Sequence, residues 1–137
     1  MRPWPGARCC ERVGVEYHWA GHQLGGKRLS KPRSRHTAID DEALRAFAYY
    51  VDSEEFKIGL RQLAGLGKNG ISAILCAERR PERCHRSLVA DALMLRGATV
   101  VHLLDEQEDT IHQLNESLRR NVIELIYDRQ PPGKALH

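Results

Sequence analysis

Apolar and polar positions alternate over residues 13–19, with Val13, Val15, Tyr17 and Trp19 on one side and Glu16 and His18 on the other. A period of two predicts a strand with one buried face. The pattern runs out at Gly25–Gly26, a pair that permits a turn or the close approach of a ligand. Residues 27–39 are polar and basic and predict a loop. The period then lengthens. Leu44, Phe47, Ala48 and Val51 share one helical face, with Asp40 or Asp41 placed to cap it. Asp52 with Glu55 three residues on predicts the start of a second helix. Its apolar stripe is Phe56, Leu60, Leu63 and Ala64, and Gly65, Gly67 and Gly70 are expected to end it. Tyr49 and Tyr50 cannot both face the core, so one belongs near the surface or a site.

The run Ile71–Cys76 is short, apolar and flanked by breakers, which predicts a buried strand. Residues 87–96 return to helical spacing with Leu88, Val89, Ala92, Leu93 and Leu95, and Gly97 is the expected stop. The apolar residues 98–104 predict another buried strand, and strand, helix and strand in this order predict a right-handed βαβ unit. Ile111, Leu114, Leu118, Val122, Leu125 and Ile126 keep helical spacing, so a last helix is expected over 108–128. Residues 1–12 carry little pattern, and 129–137 read as a frayed tail. Together these elements predict a single α/β domain over 1–137. Its expected form is three-layer and Rossmann-like, a mostly parallel sheet with flanking helices.

Composition narrows this picture. A chain of 137 residues suits one core. No apolar run approaches the roughly 20 residues of a membrane span, and the first residues lack the apolar centre of a secretory signal. Four cysteines without framework spacing predict a reduced, cytoplasmic setting, with the adjacent Cys9 and Cys10 incidental. The net charge of +3 is too modest to define a nucleic-acid binder by itself. Its distribution says more. Lys27, Arg28, Lys31, Arg33, Arg35 and His36 form one cluster, and Arg79, Arg80, Arg83, His85 and Arg86 form another. Arginine suits carboxylate and phosphate partners, although a solvated face would also account for either cluster.

The second cluster lies in ILCAERRPERCHRSLVADAL, residues 74–93. On the expected topology this stretch leaves the carboxyl end of a parallel strand and enters a helix, where open α/β sheets bind ligands. Cys76 ends the strand, Glu78 follows, and Cys84, His85 and Arg86 stand at the helix start. Free N–H groups there favour an anion or a thiolate. Arg86 or Arg83 could clamp the anion, and Glu78 or His85 could move protons. The expected catalytic residues are Cys76, Glu78, Cys84 and His85. Arg86, Arg83, Gly25 and Gly26 are the expected anion contacts. The sequence leaves any cofactor unknown.

Three alternatives stay open. Cys76, Cys84 and His85 could hold a metal with a carboxylate, although their spacing is not a two-plus-two zinc pattern. The cysteines could be packing residues. The basic loop at 27–36 could make the chain a non-catalytic nucleic-acid-binding module. A phosphatase-type loop does not fit, because the residue six after Cys76 is Glu82 and Arg83 comes one too late.

Cys76, Ala77, Glu78, Pro81, Cys84, His85 and Arg86 resemble the C-A-E-x-x-P-x-x-C-H-R signature of the domain of unknown function 488 family. Gly14, Tyr17, Leu24, Gly25 and Gly26 resemble a second family segment, and Tyr49, Tyr50, Glu55 and Phe56 a third. The resemblance covers about residues 13–104 and implies a small cytosolic α/β domain in which the Cys-His-Arg group is a hallmark. It also implies that the family's opening strands are missing before residue 13. The sheet would then be incomplete on that side, with an exposed edge through which a homodimer could form. The expected partner is an anionic small molecule or nucleic acid, with no membrane involved.

Overall fold

A computed structural model describes residues 6–30, 33–76, 84–103, 109–119 and 124–129. Five helices follow one another: α1 (Ala7–Arg12), α2 (Gly21–Leu24), α3 (Glu42–Tyr50), α4 (Glu54–Asn69) and α5 (Arg86–Leu95). Two short strands come last, β1 (Val101–Leu103) and β2 (Asp109–Ile111). They pair antiparallel, with Val101 opposite Ile111 and Leu103 opposite Asp109. The described residues are therefore mostly helical. The expected three-layer, parallel, Rossmann-like α/β sheet is not formed, and with it go the βαβ unit and the sheet edge proposed for dimerisation.

The strand expectations fail for one physical reason. A strand is stabilised by pairing with a neighbouring strand, and among the described residues these segments join no ladder. Residues 13–19 are irregular, with Val13, Val15 and Trp19 exposed. Residues 71–76 have no ladder among the described residues, and Ile71 and Leu75 are 106% and 69% exposed. Only Ile74 of that run packs against the core. β1 does lie within the apolar run 98–104, but its partner runs the opposite way and its side chains Val101 and Leu103 stay exposed.

The three longer helices follow their sequence signals more closely. Asp41 caps α3 by accepting the Leu44 N–H at 2.9 Å, and α3 buries Ala46, Phe47 and Ala48. α4 is capped by Ser53, which accepts the Phe56 N–H at 3.2 Å, so the cap falls one residue after the expected Asp52. α4 also runs through Gly65 and Gly67 and ends only at Gly70. Its Gly59 faces α2 so closely that a Cβ would sit 2.6 Å from the Gln23 Cβ. α5 ends as expected, with Gly97 at a φ of +91°, a conformation glycine adopts without steric cost. In the core, Phe47 meets Phe56 edge-to-face at 5.8 Å, with Leu60, Leu88, Val89 and Ala92 closing around them.

The expected helix over 108–128 is absent from the described part of that range. Residues 109–111 form β2, while 112–119 and 124–129 are irregular. Local polar bonds replace the helical ladder. Asn115 Oδ1 accepts the Ser117 N–H at 2.8 Å, and the Arg119 N–H donates to the Ile126 carbonyl at 2.7 Å. Side-chain-to-backbone bonds of this kind compete with helix. Leu118, Leu125 and Tyr127 nonetheless reach the core.

Two buried polar links hold this segment. The Tyr127 N–H donates to His36 Nδ1 at 3.1 Å, which leaves the ring proton on Nε2, 3.3 Å from Asp52 Oδ2. Arg35 Nη2 donates to the other Asp52 oxygen at 2.6 Å. On α5, Asp91 is fully buried and takes three donors: His112 Nε2 at 2.6 Å, the Tyr127 hydroxyl at 2.9 Å and the Asn115 N–H at 3.2 Å. His112 Nδ1 in turn lies 2.6 Å from His102 Nε2.

The Asp52 link gives stability a defined pH dependence. Partial burial pushes its carboxyl up, but the hydrogen bonds from His36 and Arg35 outweigh this and hold it below its ordinary value. A depressed carboxyl contributes stability above its unfolded value, near pH 4, and loses it as pH falls through the folded value. Urea midpoints should therefore drop on the acid side of pH 4, and Asp52→Asn should flatten that limb. The half-exposed pair limits the effect to under about 1 kcal/mol. An acid limb identical in Asp52→Asn would show that the link contributes nothing.

Candidate functional site

Cys84 precedes α5 and is 3% exposed. Its carbonyl accepts the Ser87 N–H at 2.9 Å and the Ser87 hydroxyl at 2.8 Å, which fixes the entry to the helix. Its sulfur accepts the backbone N–H of Arg86 at 3.4 Å and the Arg86 Nε–H at 3.2 Å. The first N–H of α5 is thus satisfied by the sulfur of the residue before the N-cap His85.

His85 Nδ1 lies 3.5 Å from Cys84 Sγ. One side of the imidazole rests on Phe47 of α3, at 5.1 Å between ring centres. Gly26 approaches it as well, so closely that a Cβ there would overlap Nδ1 and come within 2.9 Å of Cγ. An alanine at 26 would have to displace the ring. Burial lowers the proton affinity of His85, and the charges of Arg86 and Arg28 lower it further. Arg28 is held in place by stacking 3.5 Å above the Tyr50 ring and by donating to the carbonyls of Gly25 and His22 at 2.9 and 2.8 Å. Tyr50 is thus the tyrosine that serves the site, its hydroxyl donating to the Gln23 carbonyl at 2.7 Å, while Tyr49 stays exposed.

Cys76, at the end of the extended run, completes the group. Its sulfur, that of Cys84 and a ring nitrogen of His85 all lie within 4.8 Å of one another. Cys76 is exposed and Cys84 is buried. Glu78 and Arg83, also expected in the site, lie outside the described residues. The expected position at a sheet's carboxyl edge is corrected to the start of α5, where α2 and α3 supply the walls. Gly26 also borders an open cleft of about 370 Å³ lined by Trp19, His22, Gly25, Lys27, Arg28 and Glu55.

A protein-family model, Domain of unknown function DUF488, matches residues 6–93. The chain belongs to this family. The DUF488 match takes in the whole site, from Gly25–Gly26 to Arg86, and Asp91 behind it. His102, His112 and Tyr127, which satisfy Asp91, lie beyond the matched residues. No curated protein and no solved structure matches the chain. No helix among the described residues is long and apolar enough to cross a membrane.

Sequence reasoning brought Cys76, Cys84, His85, Arg86 and Gly26 to one place. It left open which of Tyr49 and Tyr50 lies by the site, did not single out Arg28 from its basic cluster, and missed His36 and Asp91 as buried groups. One signal for Asp91 was available: an acid in the middle of the stripe SLVADALML needs a buried partner. The basic loop at 27–36 looks different in three dimensions. Arg28 serves Tyr50, Arg35 serves Asp52 and Glu124, and His36 is fully buried.

Proposed function

We propose that this DUF488 chain binds a small anion, of the kind a nucleotide phosphate presents, at the start of α5, and that Cys84 and His85 carry the chemistry performed on it. The observation that carries this reading is the Arg86 guanidinium 3.2 Å from the largely buried Cys84 sulfur, with the His85 ring 3.5 Å from the same sulfur. Gly26 packs directly against the His85 ring, where a Cβ would overlap Nδ1, so in this reading it sets the place of the ring, and Gly25 beside it is proposed as a backbone contact. A largely buried setting strengthens charge–charge attraction, and the start of α5 adds the positive potential of the helix end. Cys76 belongs to the same group by proximity. Glu78 and Arg83 are proposed from the sequence alone, as a proton acceptor and a second anion contact.

The test is a calorimetric titration with inorganic phosphate and with a nucleoside diphosphate. Arg86→Ala should weaken binding by roughly tenfold to a hundredfold, the range of a lost charged hydrogen bond of about 1.5–3 kcal/mol. Arg86→Lys, which keeps the charge but not the planar fork, should recover part of it. Unchanged affinity in Arg86→Ala would reject the reading. Binding to a single-stranded oligonucleotide that falls steeply with salt and ignores Arg86→Ala would favour the basic loop instead.

A further inference from the structure

We propose that Cys76, Cys84 and His85 form a three-ligand site for a thiophilic divalent cation of the zinc class. This inference rests on the reading of the α5 start as the functional site and adds the cofactor to it.

Donor chemistry and distance support it together. Zinc takes thiolate sulfur at about 2.3 Å and imidazole nitrogen at about 2.0–2.1 Å, in tetrahedral array. Those bond lengths place a sulfur and a nitrogen ligand about 3.5–3.6 Å apart. Cys84 Sγ and His85 Nδ1 stand 3.5 Å apart. The third donor, Cys76 Sγ, is within 4.8 Å of both. Two thiolates on one ion require about 3.7–3.8 Å by the same geometry, so the ion asks for at most about 1.3 Å of closure at Cys76. Cys76 ends an exposed run with no strand ladder, so the closure does not have to break one.

The surroundings of the donors match what metal ligands need. The Cys84 sulfur accepts two N–H donors from Arg86, the place that outer-shell partners take around a ligand. Phe47 and Gly26 fix the plane of the His85 ring, which sets the direction of its nitrogen lone pair. Three protein ligands leave one tetrahedral position open, the arrangement of catalytic rather than closed structural sites. That position is where the anion drawn by Arg28 and Arg86 would bind. The other histidine cluster offers no such opening, because Asp91, His112 and His102 are already bonded to one another at 2.6 Å.

The full chain, purified under reducing conditions without a metal-chelate column, should carry close to one zinc per molecule by elemental analysis, or take up one when Zn²⁺ is added. Co²⁺ in its place should give the intense near-ultraviolet absorption of thiolate-to-cobalt charge transfer. Cys84 is buried and its substitution risks the fold, so the exposed Cys76→Ser is the informative variant. It should weaken Zn²⁺ binding by more than the roughly tenfold to hundredfold cost of an outer-shell change and reduce the cobalt band, with the circular dichroism spectrum unchanged. Lack of stoichiometric Zn²⁺ uptake, an unaltered affinity in Cys76→Ser, or a Cys76–Cys84 disulfide persisting under reduction would overturn the proposal. Phosphate binding measured on the same samples separates the two readings. Phosphate bound without any metal uptake rejects the metal site and keeps the anion pocket. Metal bound without phosphate keeps the metal site and rejects the pocket.

Discussion

Asp91→Ala should lower the unfolding free energy by about 3–5 kcal/mol, the range seen when one partner of a buried, hydrogen-bonded ionic group is removed. The carboxylate is fully buried on α5 and satisfies His112, Tyr127 and the Asn115 N–H at once. Removing it strands three donors where water does not reach, and each stranded donor carries its own desolvation cost. Burial and the adjacent Asp91 charge hold the Tyr127 phenol well above its ordinary value, so it stays protonated and keeps donating. Asp91→Asn tests the account. Its amide oxygen can still accept from His112, and the Tyr127 hydroxyl can turn to accept from the amide nitrogen. The loss should then be nearer 1–2 kcal/mol, in the range of a typical buried hydrogen bond. Urea unfolding with matched slopes measures both. A cost below about 1 kcal/mol for Asp91→Ala would mean that the network does not hold the segment after β2 against α5.

The other large effect falls on Phe47. Its side chain is fully buried and touches Tyr50, Phe56 and His85. Phe47→Ala should cost about 3–5 kcal/mol, because the ring's transfer energy is lost and the cavity it leaves does not fully collapse. Phe47→Leu keeps most of the volume and should cost much less, under about 2 kcal/mol. Beyond stability, Phe47 is the wall behind the His85 imidazole. The alanine variant should therefore release the ring, seen as an altered His85 resonance by NMR at a temperature where the variant is still folded. A His85 environment unchanged in Phe47→Ala would show that the ring is placed by Gly26 and Cys84 alone.

Helices were more legible in the sequence than strands, for a reason visible at particular residues. α3, α4 and α5 announce themselves locally, through Asp41, the Phe56–Leu60–Leu63 stripe and Gly97. A strand announces only an extended chain with a preferred face; whether it pairs depends on segments far away. The alternation at 13–19 and the apolar run at 71–76 join no strand ladder among the described residues. The last segment shows a second kind of failure. Helical spacing picked out Leu118, Leu125 and Ile126 as buried, which they are, but not the backbone that delivers them. Asn115 decided that backbone by bonding to Ser117. The grouping of Cys76, Cys84, His85 and Arg86 was readable because three of these residues are consecutive. The contribution of Arg28 was not, because it depends on the stacking platform of Tyr50, 22 residues away in the chain.

The bond between the Tyr127 N–H and the His36 ring joins residues 91 positions apart. Closing a loop of that length costs on the order of 4 kcal/mol of chain entropy before any contact repays it. Contacts within α3, α4 and their junction are local and can form early. Asp91, by contrast, cannot find its full set of donors until the residues from 112 to 127 have docked. The helical part of the chain thus contains a buried acid whose partners are synthesised after it, and the native packing behind the Cys84–His85 site is complete only once that late segment has arrived. The expected slowest step of folding is therefore this long-range closure rather than helix formation.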